Sequence, residues 1–284
     1  MRVSIITINY NNSSGLEKTI QSVLAQTVYD NIEYIVIDGA STDGSVDVIH
    51  KYENRLSLAV SEPDKGIYDA MNKGVTKATG DYCLFLNSGD TLFDERVVET
   101  CLPTLGDEDL IMGRIQMNPS GFIAYNDISL PFTMMDFYLS CPIPHPACFI
   151  RRELFDICLY DDSLRIVADW KFFMQMVVFN GKTCKLLKTI ISTFEEGGIS
   201  VNKYECDKER KKVLDDMVPQ VYLVDYEKFE KGEKYTSSPY NDFFFDLMKY
   251  NPRCARILFS FTVRIVKFLS KFAISLRFVE KYLN

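Results

Sequence analysis

The chain has 284 residues, 47% apolar and 25% charged, the make-up of a folded globular protein with room for one α/β domain plus an appendage, or for two small domains. A net charge of −7 argues against a whole-molecule nucleic-acid binder. Eight scattered cysteines without paired spacing, and an N-terminus lacking a basic stretch and long apolar run, imply reduced thiols in a cytoplasmic protein rather than an exported disulfide framework.

In chain order, residues 3–8 are β-branched and apolar and predict a buried parallel strand. Leu16, Ile20, Val23 and Leu24 have helical spacing over residues 16–25. Residues 34–37 predict a second strand ending at Asp38, and residues 41–45 carry turn and N-cap chemistry before a helix over 46–52. A third strand over 58–60, a helix over 68–78 and a fourth strand over 82–86 complete the alternation. Alternating strands and helices imply a mostly parallel sheet with helices on both faces, whose strand C-termini share the edge where ligands bind. Beyond residue 90 the pattern loosens. Strands are predicted over 110–116 and 121–125, with residues 118–121 as the turn, a helix over 170–179, a strand over 183–194 and a charged helix over 205–218. Pro142, Pro144 and Pro146 exclude a helix around His145, and residues 227–242 read as a linker.

Asn9, Asp38 and Asn87 each stand at or just beyond the end of an apolar strand. Loop capping can explain any one of them, but three together point to a ligand edge. Three stretches, residues 3–11, 35–44 and 62–90, together resemble family 2 of the inverting glycosyltransferases, and within it the subgroup that builds bacterial surface polysaccharides. The likeness covers roughly residues 1–200 and implies a GT-A (Rossmann-like) fold, a mostly parallel mixed sheet flanked by helices. It implies a nucleotide-sugar donor, a UDP-sugar above others, with Asp38 accepting from the uracil edge and the backbone around Thr7 and Asn9 lining the nucleoside. Asp64 and Asn72 are implied as nucleoside or pyrophosphate contacts; from the residues alone, Asn72-Lys73-Gly74 also reads as a helix C-cap.

The resemblance also implies a divalent cation, Mg²⁺ or Mn²⁺, on the leaving phosphates. Where the family carries D-x-D this chain has Asn87-Ser88-Gly89-Asp90, leaving Asn87 and Asp90 as candidate ligands, or a plain polar turn. Asp169, ahead of Trp170, matches the family's catalytic base; without the resemblance it would read as an N-cap. The resemblance also implies an acceptor-side place for Trp170 and for His145, the latter near the acceptor or the diphosphate. Cys141, His145 and Cys148 do not have a known zinc spacing, and His50 reads as a surface residue. Residues 195–200, with paired glycines, suit a loop closing over the nucleotide or an ordinary turn.

Residues 253–284 carry seven basic side chains and one acid, Glu280. On a helical projection these basic residues fall within roughly 140°, opposite an apolar face. That is the pattern of a basic amphipathic helix lying on an anionic membrane, or of a helix packed on protein. The expected organisation is therefore a catalytic domain over 1–220, with its nucleotide-sugar half over about 1–100 and its acceptor half over about 101–220. A linker over 221–252 and the membrane-associating helix over 253–284 follow. The expected activity is inverting transfer of a sugar onto a lipid-linked or polysaccharide acceptor at the inner face of the cell membrane. Its rivals are an inactive homologue serving as an assembly subunit and a sugar nucleotidyltransferase. The latter normally has a Gly-rich basic loop where this chain has Asn9-Tyr10-Asn11-Asn12-Ser13.

Overall fold

The computed structural model describes residues 1–125, 128–198 and 202–231. In chain order the first half runs β1 (Val3–Asn9), α1 (Ser13–Leu24), β2 (Ile32–Asp38), α2 (Ser45–Tyr52), β3 (Leu58–Ser61), α3 (Ile67–Lys77) and β4 (Tyr82–Asn87). Then come β5 (Thr91–Leu92), α4 (Val97–Cys101), β6 (Leu110–Asn118), β7 (Ile123–Ala124), α5 (Met134–Leu139), β8 (Cys148–Arg151), α6 (Ala168–Met174), β9 (Cys184–Glu195), α7 (Lys203–Met217) and α8 (Gln220–Glu230).

Nine described strands form one sheet in the order β3-β2-β1-β4-β8-β6-β9-β5, with β7 paired to β6. The pairs β1–β2, β1–β4, β2–β3 and β6–β9 are parallel, while β8 runs antiparallel to both β4 and β6. β1 and β2 are buried along their whole length, which explains their unbroken apolar runs. Helix α1 buries Leu16, Ile20 and Val23 in the same core as Val3, Ile5 and Val36. Helix α3 lies against the opposite face so closely that a Cβ on Gly74 would stand 2.5 Å from the Ile6 side chain.

The second half departs from the expectation in detail. The predicted strand over 121–125 is reduced to the two residues of β7, and the helix at Trp170 begins at Ala168 and continues past Met174 as a π-helical turn over Gln175–Phe179. Residues 1–217 form one compact unit, and residues from 218 onward a second. The described part of the second is α8, so the stretch expected as a linker from 221 opens as a helix with Pro219 at its N-cap. The amphipathic helix expected over 253–284 lies outside the described residues. Among the described residues no helix is long and apolar enough to cross a membrane.

Candidate functional site

The parallel register places Asn9 opposite Asp38, Asp38 opposite Ser61, and Ile8 opposite Asn87, so the expected strand-end residues share one edge. Their side chains have different fates. The Asp38 carboxylate is fully buried and accepts from Asn9 Nδ2 (2.7 Å), Ser41 Oγ (2.6 Å), Ser41 N (2.9 Å) and Ser61 Oγ (2.7 Å). Burial alone would raise its pKa, but these donors outweigh burial and hold it below the usual carboxylate range. With its acceptor positions taken, Asp38 braces the pocket wall rather than facing a ligand directly. Thr7 lies deeper, its hydroxyl 3.1 Å from the Tyr34 hydroxyl inside the core.

A cavity of about 580 Å³ opens in front of this wall, lined among others by Asn9, Tyr10, Gly39, Asp64, Ile67 and Asn87. Asp64 is the carboxylate that reaches it, oriented by the Gly66 N–H at 2.9 Å. Gly39 makes this approach possible, because a Cβ there would lie 2.5 Å from Asp64 Oδ2. Tyr10, 67% exposed, offers a flat aromatic face at the rim. The sequence signal for Tyr10 was an aromatic residue directly after the first strand.

Asn72 does not join this cavity. Its amide donates to the Tyr160 carbonyl at 2.8 Å and accepts from the Tyr160 N–H at 3.0 Å, from the middle of α3 rather than from a helix end. Eighty-eight residues separate the two, so no local pattern could reveal the clasp. Asn72→Ala should cost about 2 kcal/mol by stranding both backbone groups, and so lower the Tm by roughly 5 °C. Donor KM should stay unchanged; a raised KM with unaltered Tm would return Asn72 to the donor site.

A second cavity, of about 490 Å³, adjoins the first through Ile67, Asn87 and Ser88, and is also lined by Asp90, His145, Asp169 and Glu195. Gly89, at φ 109°, turns the chain back so that Asp90 N bonds Asn87 O at 2.9 Å, and Thr19 of α1 pins the turn through Asp90 O at 2.7 Å. Asp90 is 3% exposed; one carboxylate oxygen accepts from Glu195 N at 3.0 Å. Its other oxygen and Asn87 Oδ1 are buried without a partner, and burial pushes the Asp90 carboxyl up to about 7. Two unpartnered oxygens on one cavity fit a hard cation that completes its shell from phosphates and water. Among the described residues no group of three His, Cys, Asp or Glu could hold a metal by itself, the Cys141, His145 and Cys148 set included.

Asp169 sits in the first turn of α6, not at its N-cap, which is Val167 with no side-chain cap. Glu209 of α7 instead receives the preceding backbone, accepting from Arg165 N (2.8 Å), Ile166 N (2.9 Å) and Val167 N (3.3 Å). Tyr68, from the start of α3, donates to Asp169 Oδ1 at 2.8 Å and also lies 2.6 Å from Ile166 O. Sequence reasoning missed Tyr68 and Glu209, because their partners are brought close only by folding.

Asp169 also lines a third cavity, of about 730 Å³. His145 borders the second and third cavities, its Nε2 2.9 Å from the Tyr160 hydroxyl and its ring stacked on Phe85 at 5.0 Å; burial lowers its pKa. Trp170 is 1% exposed, and its indole N–H is shared between the Phe137 and Ser140 carbonyls at 3.1 Å each, so it shapes the third cavity as a fixed wall. Glu196, Gly197 and Gly198 reach the second cavity, whereas Ile199 and Ser200 lie outside the described residues. His50 is exposed, and Cys83, Cys101, Cys141, Cys148, Cys158 and Cys184 are free thiols.

Comparison with known proteins gives this arrangement a lineage. The sequence model described as Glycosyl transferase family 2 matches residues 4–158. An uncharacterized glycosyltransferase of Mycobacterium tuberculosis is 30% identical over 71% of this chain and 78% of its own length. A putative teichuronic acid biosynthesis glycosyltransferase of Bacillus subtilis, TuaG, is 26% identical over 72% of this chain and 76% of its own. Among solved structures, S. aureus TarS 1-349 in complex with UDP-GlcNAc aligns with a TM-score of 0.58 at 19% identity, over 75% of this chain and 64% of that one. This chain thus spans less than two thirds of that structure. A Pyrobaculum calidifontis mannosyltransferase in complex with GDP-Man and Mn²⁺ aligns with a TM-score of 0.55 at 15% identity, over 93% of this chain and 80% of that one. The sheet is accordingly that of the GT-A glycosyltransferases, and the protein belongs to glycosyl transferase family 2.

Proposed function

We propose that this glycosyltransferase moves one sugar from a nucleoside-diphosphate donor, a UDP-sugar, with inversion onto a lipid-linked or polysaccharide acceptor in the synthesis of a bacterial surface polysaccharide. The observation that carries this reading is the chain of three adjoining cavities. Asn87 joins the first to the second, and Asp169 joins the second to the third. The first cavity takes the nucleoside, with Asn9, Tyr10 and Asp64 as contacts and Asp38 bracing Asn9. The second takes the diphosphate and the donor sugar, with Asn87 and Asp90 as the cation's protein ligands. When bound, the cation offsets the charge that grows on the leaving diphosphate. The third cavity takes the acceptor, beside Trp170 and His145.

Asp169 Oδ1 is held by Tyr68, and its other oxygen is free to take a proton. As the acceptor oxygen bonds to the anomeric carbon, that oxygen receives the hydroxyl proton, and the bond from the anomeric carbon to the diphosphate breaks on the opposite side. Displacement on the far side inverts the anomeric centre. The solved relatives bound to UDP-GlcNAc and to GDP-Man with Mn²⁺ support a donor of this class. TuaG and a Mycobacterium bovis relative, 29% identical and named for PGL/p-HBAD biosynthesis, support a place in biosynthesis of this kind. The basic segment 253–284 would keep the enzyme on an anionic membrane.

A panel of UDP- and GDP-sugars, assayed for hydrolysis and transfer with the product anomer read by NMR, tests the proposal. Turnover of one donor with inverted product is expected, and its loss on exhaustive EDTA treatment; full activity in EDTA would remove the cation. Turnover of no donor would favour the inactive assembly subunit. Tyr68→Phe removes the hydroxyl that orients Asp169 through Oδ1. The kcat should fall about tenfold with donor KM unchanged. A kcat equal to the wild type would leave Tyr68 a packing residue.

A further inference from the structure

The third cavity is poorly suited to saccharide hydroxyls alone. Its walls include Ile115 and Met117 of β6, Ala124 of β7, and Phe132 and Trp170. Sugar hydroxyls buried against such walls would lose hydrogen bonds to water without regaining them. Apolar surface also continues outward, with Phe122 on the cavity 65% exposed and Leu139, next to the lining residue Ser140, 53% exposed.

One cationic side chain enters this apolar space among the described residues. Arg210 of α7 lines the cavity with its guanidinium 5.5 Å from the Trp170 ring centre, and its Nε is buried without a hydrogen-bond partner. No described carboxylate forms an ion pair with it. Asp136, the other acid on the cavity, is occupied by the Thr133 N–H and hydroxyl at 2.6 and 2.7 Å. A buried, unpartnered guanidinium donor is costly to leave unmade and is matched by the oxygens of an anion such as phosphate.

We propose that the third cavity binds the acceptor's carrier, an aliphatic chain ending in a phosphate, with Arg210 on the phosphate and the apolar walls on the first carbons. The inference rests on the proposed function, in that it takes the space beyond Asp169 for the acceptor side. A compact aromatic carrier would fill the cavity and leave the exposed Phe122 and Leu139 unused. An aliphatic chain continues over them.

Trp170 is the chain's single tryptophan and a wall of this cavity, so its fluorescence reports occupancy without any donor or turnover. The full-length protein is titrated with n-octyl phosphate, n-octanol and phenyl phosphate, each below its aggregation concentration. Saturable binding of octyl phosphate is expected, about tenfold or more tighter than either of the others. Arg210→Gln should bring octyl phosphate to the affinity of octanol and leave octanol unchanged, while Arg210→Lys should retain most of the preference. Octanol binding as tightly as octyl phosphate, or an indifferent Arg210→Gln, would overturn the phosphate contact. Phenyl phosphate binding best would replace the aliphatic carrier by an aromatic one, and no saturable signal with any probe would overturn the site. Because these titrations need no donor, their failure is distinct from failure of the sugar panel.

Discussion

Asp169→Asn is expected to lower kcat by on the order of 10³-fold while leaving the donor dissociation constant within about twofold of wild type. The amide occupies the same volume, and its oxygen can still accept from the Tyr68 hydroxyl that meets Oδ1 at 2.8 Å. The backbone leading into α6 is held separately, by Glu209 on Arg165, Ile166 and Val167. The fold and the donor cavity should therefore survive, and only the capacity to take a proton is lost. Single-turnover transfer set beside calorimetric donor binding separates the two effects. Wild-type rates in the variant would transfer the base to another group; His145, neutral and bonded to Tyr160, would be the next to examine.

The second large effect concerns Asp90, where stability and activity should move in opposite directions. Burial raises its carboxyl from 3.8 to about 7 in the folded protein, so folding favours the protonated form. That contribution is complete below the unfolded value near pH 4 and is lost as pH rises through about 7. At pH 8 without a divalent cation the buried charge costs up to about 4 kcal/mol, an upper bound for a shift of this size. Asp90→Asn removes the charge, so EDTA-treated variant should be more stable than EDTA-treated wild type at pH 8, with the gap closing toward pH 4. Mn²⁺ should raise the Tm of the wild type and not of the variant. Transfer by the variant should fall by on the order of 10²-fold, as a charged contact to the leaving group is lost. Equal denaturant midpoints at pH 8 and an equal Mn²⁺ response would show that Asp90 neither bears the buried charge nor meets the cation.

The first ninety residues were the most legible, because local and global signals agree there. Strand runs, helix spacing and turn residues each followed a short-range rule, and parallel pairing carried Asn9, Asp38 and Asn87 to one edge. Beyond that point the strands are short, antiparallel pairs enter the sheet, and a π-helical turn closes α6, none of which periodicity encodes. The same divide runs through the site. Asp90 and Asn87 were readable as oxygen donors at a strand end, but not the burial that leaves Asp90 Oδ2 and Asn87 Oδ1 without partners. Asn72, expected at the donor, instead clasps Tyr160, because an amide's role depends on which backbone folding brings against it.

The sequence by itself determined the kind of sheet, the edge at which Asn9, Asp38 and Asn87 gather and the family to which the chain belongs, since these follow from periodicity and from motifs within about ten residues. Only the tertiary structure decided which of those residues face solvent-filled space. It turned Asp38 inward onto Asn9, Ser41 and Ser61, and left Asp64 and Tyr10 on the first cavity. It also brought Tyr68 to Asp169 across 101 residues and Arg210 to Trp170. The physical reason is that a side chain's chemistry is local, while its partners, burial and accessible direction are set by packing between elements distant in the chain.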